Sequence, residues 1–239
     1  MKKLQVIPAI LLVFGISFST QSFGQAFMGL AYDIEVTNPA RLVAAMDKIN
    51  AALSRSGRVG YPILNRYIVN GESPATHNVV VVYPTVEDMD KANAENAVSQ
   101  DWAIFQKEVA ESASQVGELL YQAPGISVGD PSIITSSNSV SQWILMDIID
   151  SEKYIDAWLE LAEKYQSDKV FSQLIVIAAD GERGATHNLI ISANSMSDLM
   201  ENPVNTSRGW SRYLSKVSEI RTVISRNIVA EVKNYAPAM

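Results

Sequence analysis

The chain has two histidines, His77 and His187, and they stand 110 positions apart at the same point of the same phrase. "NGESPATHN" runs from Asn70 to Asn78 and "DGERGATHN" from Asp180 to Asn188, with six of nine positions identical and Asn exchanged for Asp at the first. Histidine has an unperturbed pKa near neutrality and is the commonest general acid or base. Glu72 and Glu182 precede the histidines by five residues on the same predicted hairpins, within reach of an ordering contact. A Glu–His set of this kind could abstract a proton from an acidic organic substrate. The same residues also fit a structural role, with Thr76, His77 and Asn78 satisfying backbone groups where the hairpin enters its strand, and turn residues often do this work. The candidate catalytic residues are therefore His77 and His187, and the candidate ligand-binding residues add Glu72, Asn78, Glu182 and Asn188.

Trp102 and Trp210 are duplicated as well, since "DWAIF" (Asp101 to Phe105) matches "GWSRY" (Gly209 to Tyr213). Beside a cavity, these rings would stack on a flat or apolar ligand. With Phe105 and Tyr213 three residues on, they also make a helical stripe suited to a core. Zinc wants three or four protein ligands, and the chain has no cysteine and no close histidine pair, so neither a metal nor another cofactor is expected. No Gly-rich phosphate loop, HExxH, GxSxG or CxxC occurs, which leaves nucleotide use, zinc proteolysis and serine hydrolase chemistry without support.

Lys2 and Lys3 precede the apolar run "VIPAILLVFGI" and then the small, polar "SFSTQSFGQA", the order of a secretory signal peptide. Residues 1–26 are assigned to that signal, with cleavage after Gly24 or Ala26, and the mature protein is expected in the periplasm or outside the cell, free of the membrane. An exported chain without cysteine has no disulfide framework and must be held by its core. With Lys2 and Lys3 removed, 17 basic residues face 26 acidic ones, and the formal charge falls from -7 to -9. An acidic surface argues against nucleic acid or an anionic membrane as partner, because both need clustered Lys and Arg.

The elements that must position these residues are duplicated too. Residues 27–122 form a first repeat, 123–141 a linker rich in Ser, Gly and Pro, and 142–235 a second repeat. In the first repeat, Gly29 to Val36 reads as a strand, and the segment from Pro39 carries Leu42, Ala45, Met46, Ile49 and Leu53 at helical spacing. Strands follow at Ile63 to Val69 and His77 to Tyr83, joined by the hairpin, and then a helix opened by Thr85 and Asp88. That helix is expected to break near Ala97 to Gln100 and to continue through Trp102, Phe105, Val109 and Val116, before a last strand at Glu118 to Tyr121. The second repeat runs through Trp143 to Ile149, a helix from Glu152, Val170 to Ala179, His187 to Ala193, a helical stretch opened by Ser195 and Asp198, and Ile224 to Val232. Its first strand carries Asp147 where the first repeat carries Asp33, and Ser132 to Thr135 of the linker reads as an added edge strand.

Each repeat has the β-α-β-β-α-β order of a ferredoxin-like unit, giving an α+β fold class. On the valine-rich strand from His77, both alternating faces are apolar beyond the first positions, so both must be covered. Helices can cover one face and the second repeat's sheet the other. That arrangement resembles the dimeric α/β-barrel superfamily, whose members include antibiotic-biosynthesis monooxygenases, haem-degrading monooxygenases and stress-responsive barrel proteins, here fused as a pseudo-dimer in one chain. Two ferredoxin-like units that do not form a barrel remain the structural alternative. The resemblance implies a cavity between facing sheets and a small apolar or aromatic molecule as ligand. Cofactor-free oxygenation or isomerisation is the enzymatic version, and a non-catalytic secreted interaction module the other. The oligomeric state is open.

Overall fold

The structure is a computed structural model describing residues 27–57, 59–135, 139–181 and 183–236. The expected signal segment and Glu182 lie outside the described residues. Among the described residues, no helix is long and apolar enough to cross a membrane.

The first half is β1 (Phe27–Val36), α1 (Pro39–Arg55), β2 (Tyr61–Val69), β3 (His77–Tyr83), α2 (Val86–Val98), α3 (Gln100–Ala110) and β4 (Ala113–Ala123). Local chemistry sets several of these limits. Asn38 caps α1 by accepting from the Arg41 amide with Pro39 in the first turn, and Thr85 caps α2 by accepting from the Asp88 amide. Ser99 ends α2 in extended backbone and caps α3 through the Trp102 amide, so one residue makes the expected helix break.

A connection follows with β5 (Ser127–Val128) and the single turn α4 (Ser132–Thr135). The second half is β6 (Val140–Ile148), α5 (Ser151–Tyr165), β7 (Val170–Ala179), β8 (His187–Ala193), α6 (Met196–Met200), a 3-10 turn at Pro203–Thr206, α7 (Trp210–Val217) and β9 (Arg221–Asn234).

Strand order is β4-β1-β3-β2 in the first half and β9-β6-β8-β7 in the second. β2 pairs with β9 and β4 with β7, all antiparallel, so the two four-stranded sheets close edge to edge into an eight-stranded barrel. β5 adds outside it on β7. Strand alternation then divides the side chains. Ala31, Val80, Val82, Leu119, Tyr121 and Ala123 of the first half meet Ile175, Ile190 and Trp143 of the second inside the barrel. On the outside, Leu42 and Met46 of α1 pack on Ile34 and Leu64 of the first sheet, and Tyr154 and Trp158 of α5 with Val217 of α7 pack on Met146 and Leu174 of the second.

Three sequence expectations need correction. Val116 belongs to β4 and not to the helical stripe, because α3 ends at Ala110 and the buried Ser112 ties the turn to α1, its carbonyl accepting from the Thr37 and Asn38 amides. Ser132–Thr135 is a helical turn opened by Asp130, which accepts from the Ser132 amide, and the linker's strand is Ser127–Val128. Asp147 is not the counterpart of Asp33. Asp33 pairs with Asn78, and the residue that pairs with Asn188 is Leu145.

Candidate functional site

The repeated Thr-His-Asn triplet splits across the barrel wall. Each threonine closes a ladder: Thr76 Oγ1 accepts from the Val36 amide at 2.9 Å, and Thr186 Oγ1 from the Ile148 amide at 2.7 Å. Each histidine faces the outer, helical layer. His77 Nδ1 lies 2.9 Å from Thr76 Oγ1, His187 Nδ1 lies 2.9 Å from Thr186 Oγ1, and His187 Nε2 lies 3.2 Å from Ser151 Oγ at the start of α5. Burial pushes both imidazoles below their ordinary pKa, helped at His77 by Arg66 and opposed at His187 by Asp147. The two histidines therefore lie on the outer face of the barrel wall, each with Nδ1 beside its threonine, and His187 has Ser151 at Nε2 as well. Among the described residues no three His, Asp or Glu side chains group to hold a metal ion.

Glu72 is exposed in its hairpin loop while His77 is buried, so the expected Glu–His contact is not assembled in the first half, and its counterpart Glu182 lies outside the described residues. The tryptophans are also on the outer layer. Trp102 tilts against Phe105 at 5.1 Å, and Trp210 stacks on Tyr213 at 5.2 Å and packs on the α5–α7 core.

The asparagines point the other way. Asn78 is 1% exposed and shares the inner face of β3 with Val80 and Val82. Its Nδ2 donates to Asp33 Oδ1 at 2.9 Å, which fixes the amide's orientation, and its Oδ1 is buried with no hydrogen-bond partner. Asp33 also accepts from the Tyr67 hydroxyl at 2.6 Å and, on Oδ2, from Arg183 Nη2 at 2.9 Å. Burial, together with this carboxylate, pushes the Tyr67 phenol far above its usual range, so it stays a donor. Asn65, paired with Asn78 across β2 and β3, is buried beside them.

Two backbone features make room for this set. A bulge places Gly117 of β4 opposite Asp33, with Val116 as the extra residue. A Cβ at Gly117 would fall 2.0 Å from Arg183 Nη2 and 3.5 Å from Asp33 Oδ2, so only glycine admits the guanidinium there. Arg183 comes from the β7–β8 hairpin of the other half and lines a cleft of about 400 Å³ with Gln115, Gly117, Glu118 and Asp180.

The second half lacks this polar set. Strand register puts Leu145, Ile175 and Ile177 where the first half has Asp33, Asn65 and Tyr67. Asn188 keeps its place and also has a buried, unpartnered Oδ1. Of the residues singled out by sequence, Asn78 is the one the structure joins to a polar cluster. Asp33, Tyr67, Gly117 and Arg183 were missed. The visible signal was an acid inside an apolar strand.

The sequence matches no family model, and no curated protein matches it. Solved structures match over most of the chain. A protein named as a monooxygenase from Fusobacterium nucleatum has a TM-score of 0.56 at 8% identity, covering 89% of this chain and 94% of that one. An anthrone oxidase-like protein has a TM-score of 0.55 at 9% identity, covering 90% and 96%. A chlorite dismutase variant from Candidatus Nitrospira defluvii has a TM-score of 0.52 at 12% identity, covering 87% and 91%. At these identities the likeness is one of fold, that of the dimeric α/β barrels.

Proposed function

We propose that this protein, built from two fused copies of a ferredoxin-like unit, binds a small, largely apolar or aromatic molecule carrying a hydroxyl or similar donor. The site is the polar end of the barrel's first half. The observation that carries this reading is the polar set of Asp33, Asn65 and Tyr67 around the buried, unpartnered Asn78 Oδ1, since Asn188 keeps the same open oxygen but the second half surrounds it with Leu145, Ile175 and Ile177. An unsatisfied buried acceptor costs about 1–3 kcal/mol, so a ligand donor completes what folding leaves open. Val80, Ile63 and Trp143 supply apolar walls, and Arg183, on an exposed hairpin, flanks the cleft through which a ligand would enter.

Binding is better supported than turnover. Both Asp33 oxygens already accept donors and both histidines face the outer, helical layer, so no free base faces the barrel interior among the groups described above.

1-Naphthol and 2-naphthol, each an aromatic body with one hydroxyl donor, are suitable probes, followed by the fluorescence of Trp143 in the barrel wall. Saturable binding is expected, weakened by about tenfold or more in Asn78→Val. Absence of binding by both probes, or equal affinity in the variant, overturns the reading. Oxygen uptake with anthrone, measured alongside, would extend it to a monooxygenase-like activity.

Export belongs to the same proposal. Protein recovered from its native host is expected to begin at Gln25 or Phe27 by mass spectrometry. A full-length chain retained inside the cell would overturn it.

A further inference from the structure

A second concavity lies outside the barrel, between α5 and α7, and its charge is opposite to that of the molecule. The chain carries a formal charge of -7, yet this groove of about 200 Å³ is lined by Lys164, Arg208, Arg212 and Lys216 with Glu160 as the one acid. Arg208, Arg212 and Lys216 recur at four-residue spacing, which puts them on one side of α7 and the residues leading into it. Glu160 lies 3.3 Å from Arg212 and also pairs with Lys216. These cations pull the Glu160 carboxyl below its usual range, the Lys216 hydrogen bond first. One acid among four cations leaves the groove three positive charges in excess.

The groove has a built wall. Arg208 Nε donates to the Tyr165 hydroxyl at 3.4 Å, and Lys164 Nζ stands 5.6 Å from the Tyr165 ring centre. A Cβ at Gly209 would come within 2.4 Å of that ring, so glycine lets the entry to α7 close on Tyr165.

Comparison of the halves separates this charge from what packing requires. The α1–α3 contact has Lys48 bonded to Glu108 at 2.9 Å. Aligned through the helix caps Asn38 and Asp150 and through Trp102 and Trp210, these are the positions of Glu160 and Lys216, with the two charges exchanged. The interhelical ion pair is thus common to both halves. Arg208, Arg212 and Lys164 replace Gln100, Ile104 and Ala52, and they belong to the second half alone.

We propose that the groove between α5 and α7 binds a small phosphate-bearing anion, held by Arg208 and Arg212 with Lys164 and Lys216 completing the charge. Guanidinium groups present paired donors that match phosphate oxygens, and an excess of three positive charges suits a dianion or trianion. A long polyanion is disfavoured, because beyond the groove its charges would meet an acidic surface within a Debye length.

The test is calorimetric titration of the full chain with inorganic pyrophosphate, set beside sedimentation with phosphatidylglycerol vesicles. Saturable pyrophosphate binding is expected, weakened about tenfold to a hundredfold when Arg208→Gln and Arg212→Gln are combined. Ile104→Arg in the first half is expected to leave it unchanged. Vesicle binding alone, lost in the same double variant, supports the site with a lipid headgroup as the source of the phosphate. No binding in either arm, or equal binding by the double variant, overturns the proposal. Arg212 is 71% exposed in its side chain, so the variants are expected to fold, and thermal unfolding checks that they do.

Discussion

Asn70 and Asp180 differ in chemistry and do the same work. Asn70 Nδ2 donates to the Ala75 carbonyl at 2.7 Å, while Asp180 Oδ2 accepts from the Ala185 amide at 2.5 Å, so each braces its own hairpin from the opposite side of a hydrogen bond. That exchange explains why the repeated phrase could vary at its first position and keep its Thr-His-Asn. The histidines carry a pH dependence of definite sign. Both are held below the ordinary value of 6.5 in the folded chain, so as pH falls through that value the unfolded state takes up protons that the folded state refuses. Stability is expected to fall with pH from about 6.5 down to the folded-state values, and then to lose this dependence. His187→Gln should flatten the slope in denaturant unfolding measured between these limits, and a slope unchanged in His77→Gln and His187→Gln alike would refute the assignment. The structural role of these residues was readable in their position at a hairpin exit. The Asp33 cluster was not, because Tyr67 reaches Asp33 only when the first sheet forms, across 34 positions, and Arg183 only when the two halves meet, across 150.

Elements that depend on local chemistry were legible. β3 and β8 run over the residues that their alternation marks, and the caps at Thr85 and Ser195 each accept from the amide of an aspartate three residues on. Elements that depend on tertiary partners were not. β9 extends over Arg221–Asn234, well beyond the Ile224 to Val232 read from its apolar residues, because it pairs with β6 on one side and β2 on the other. Its polar residues Ser225 and Asn227 lie opposite Leu145 and Trp143, where a closed wall asks for a hydrogen-bonded backbone more than for apolar side chains. Val116 misled for a related reason. Its spacing continues the α3 stripe, but the chain has already turned at Ser112 and entered a bulged strand.

At the scale of the whole molecule, the barrel interior belongs to both halves. Ile175 is 1% exposed and packs in one cluster with Ala31, Val80, Val82, Leu119 and Tyr121 of the first half. Ile175→Ala is expected to cost about 2–5 kcal/mol and to move one transition in which both halves unfold together. Tryptophan fluorescence and circular dichroism during denaturant unfolding check this, and two separated transitions would show the halves to be independent. The ion pair from Arg183 to Asp33 crosses between halves in one direction only, since the reverse crossing would place Ser73 against Leu145. A barrel assembled from two identical chains repeats every feature about its axis and saturates at two equivalents of ligand. This barrel has lost that symmetry at Asp33, Asn65, Tyr67 and Arg183, so the proposed sites predict one equivalent of each ligand per chain, on a scaffold whose strands still count in pairs.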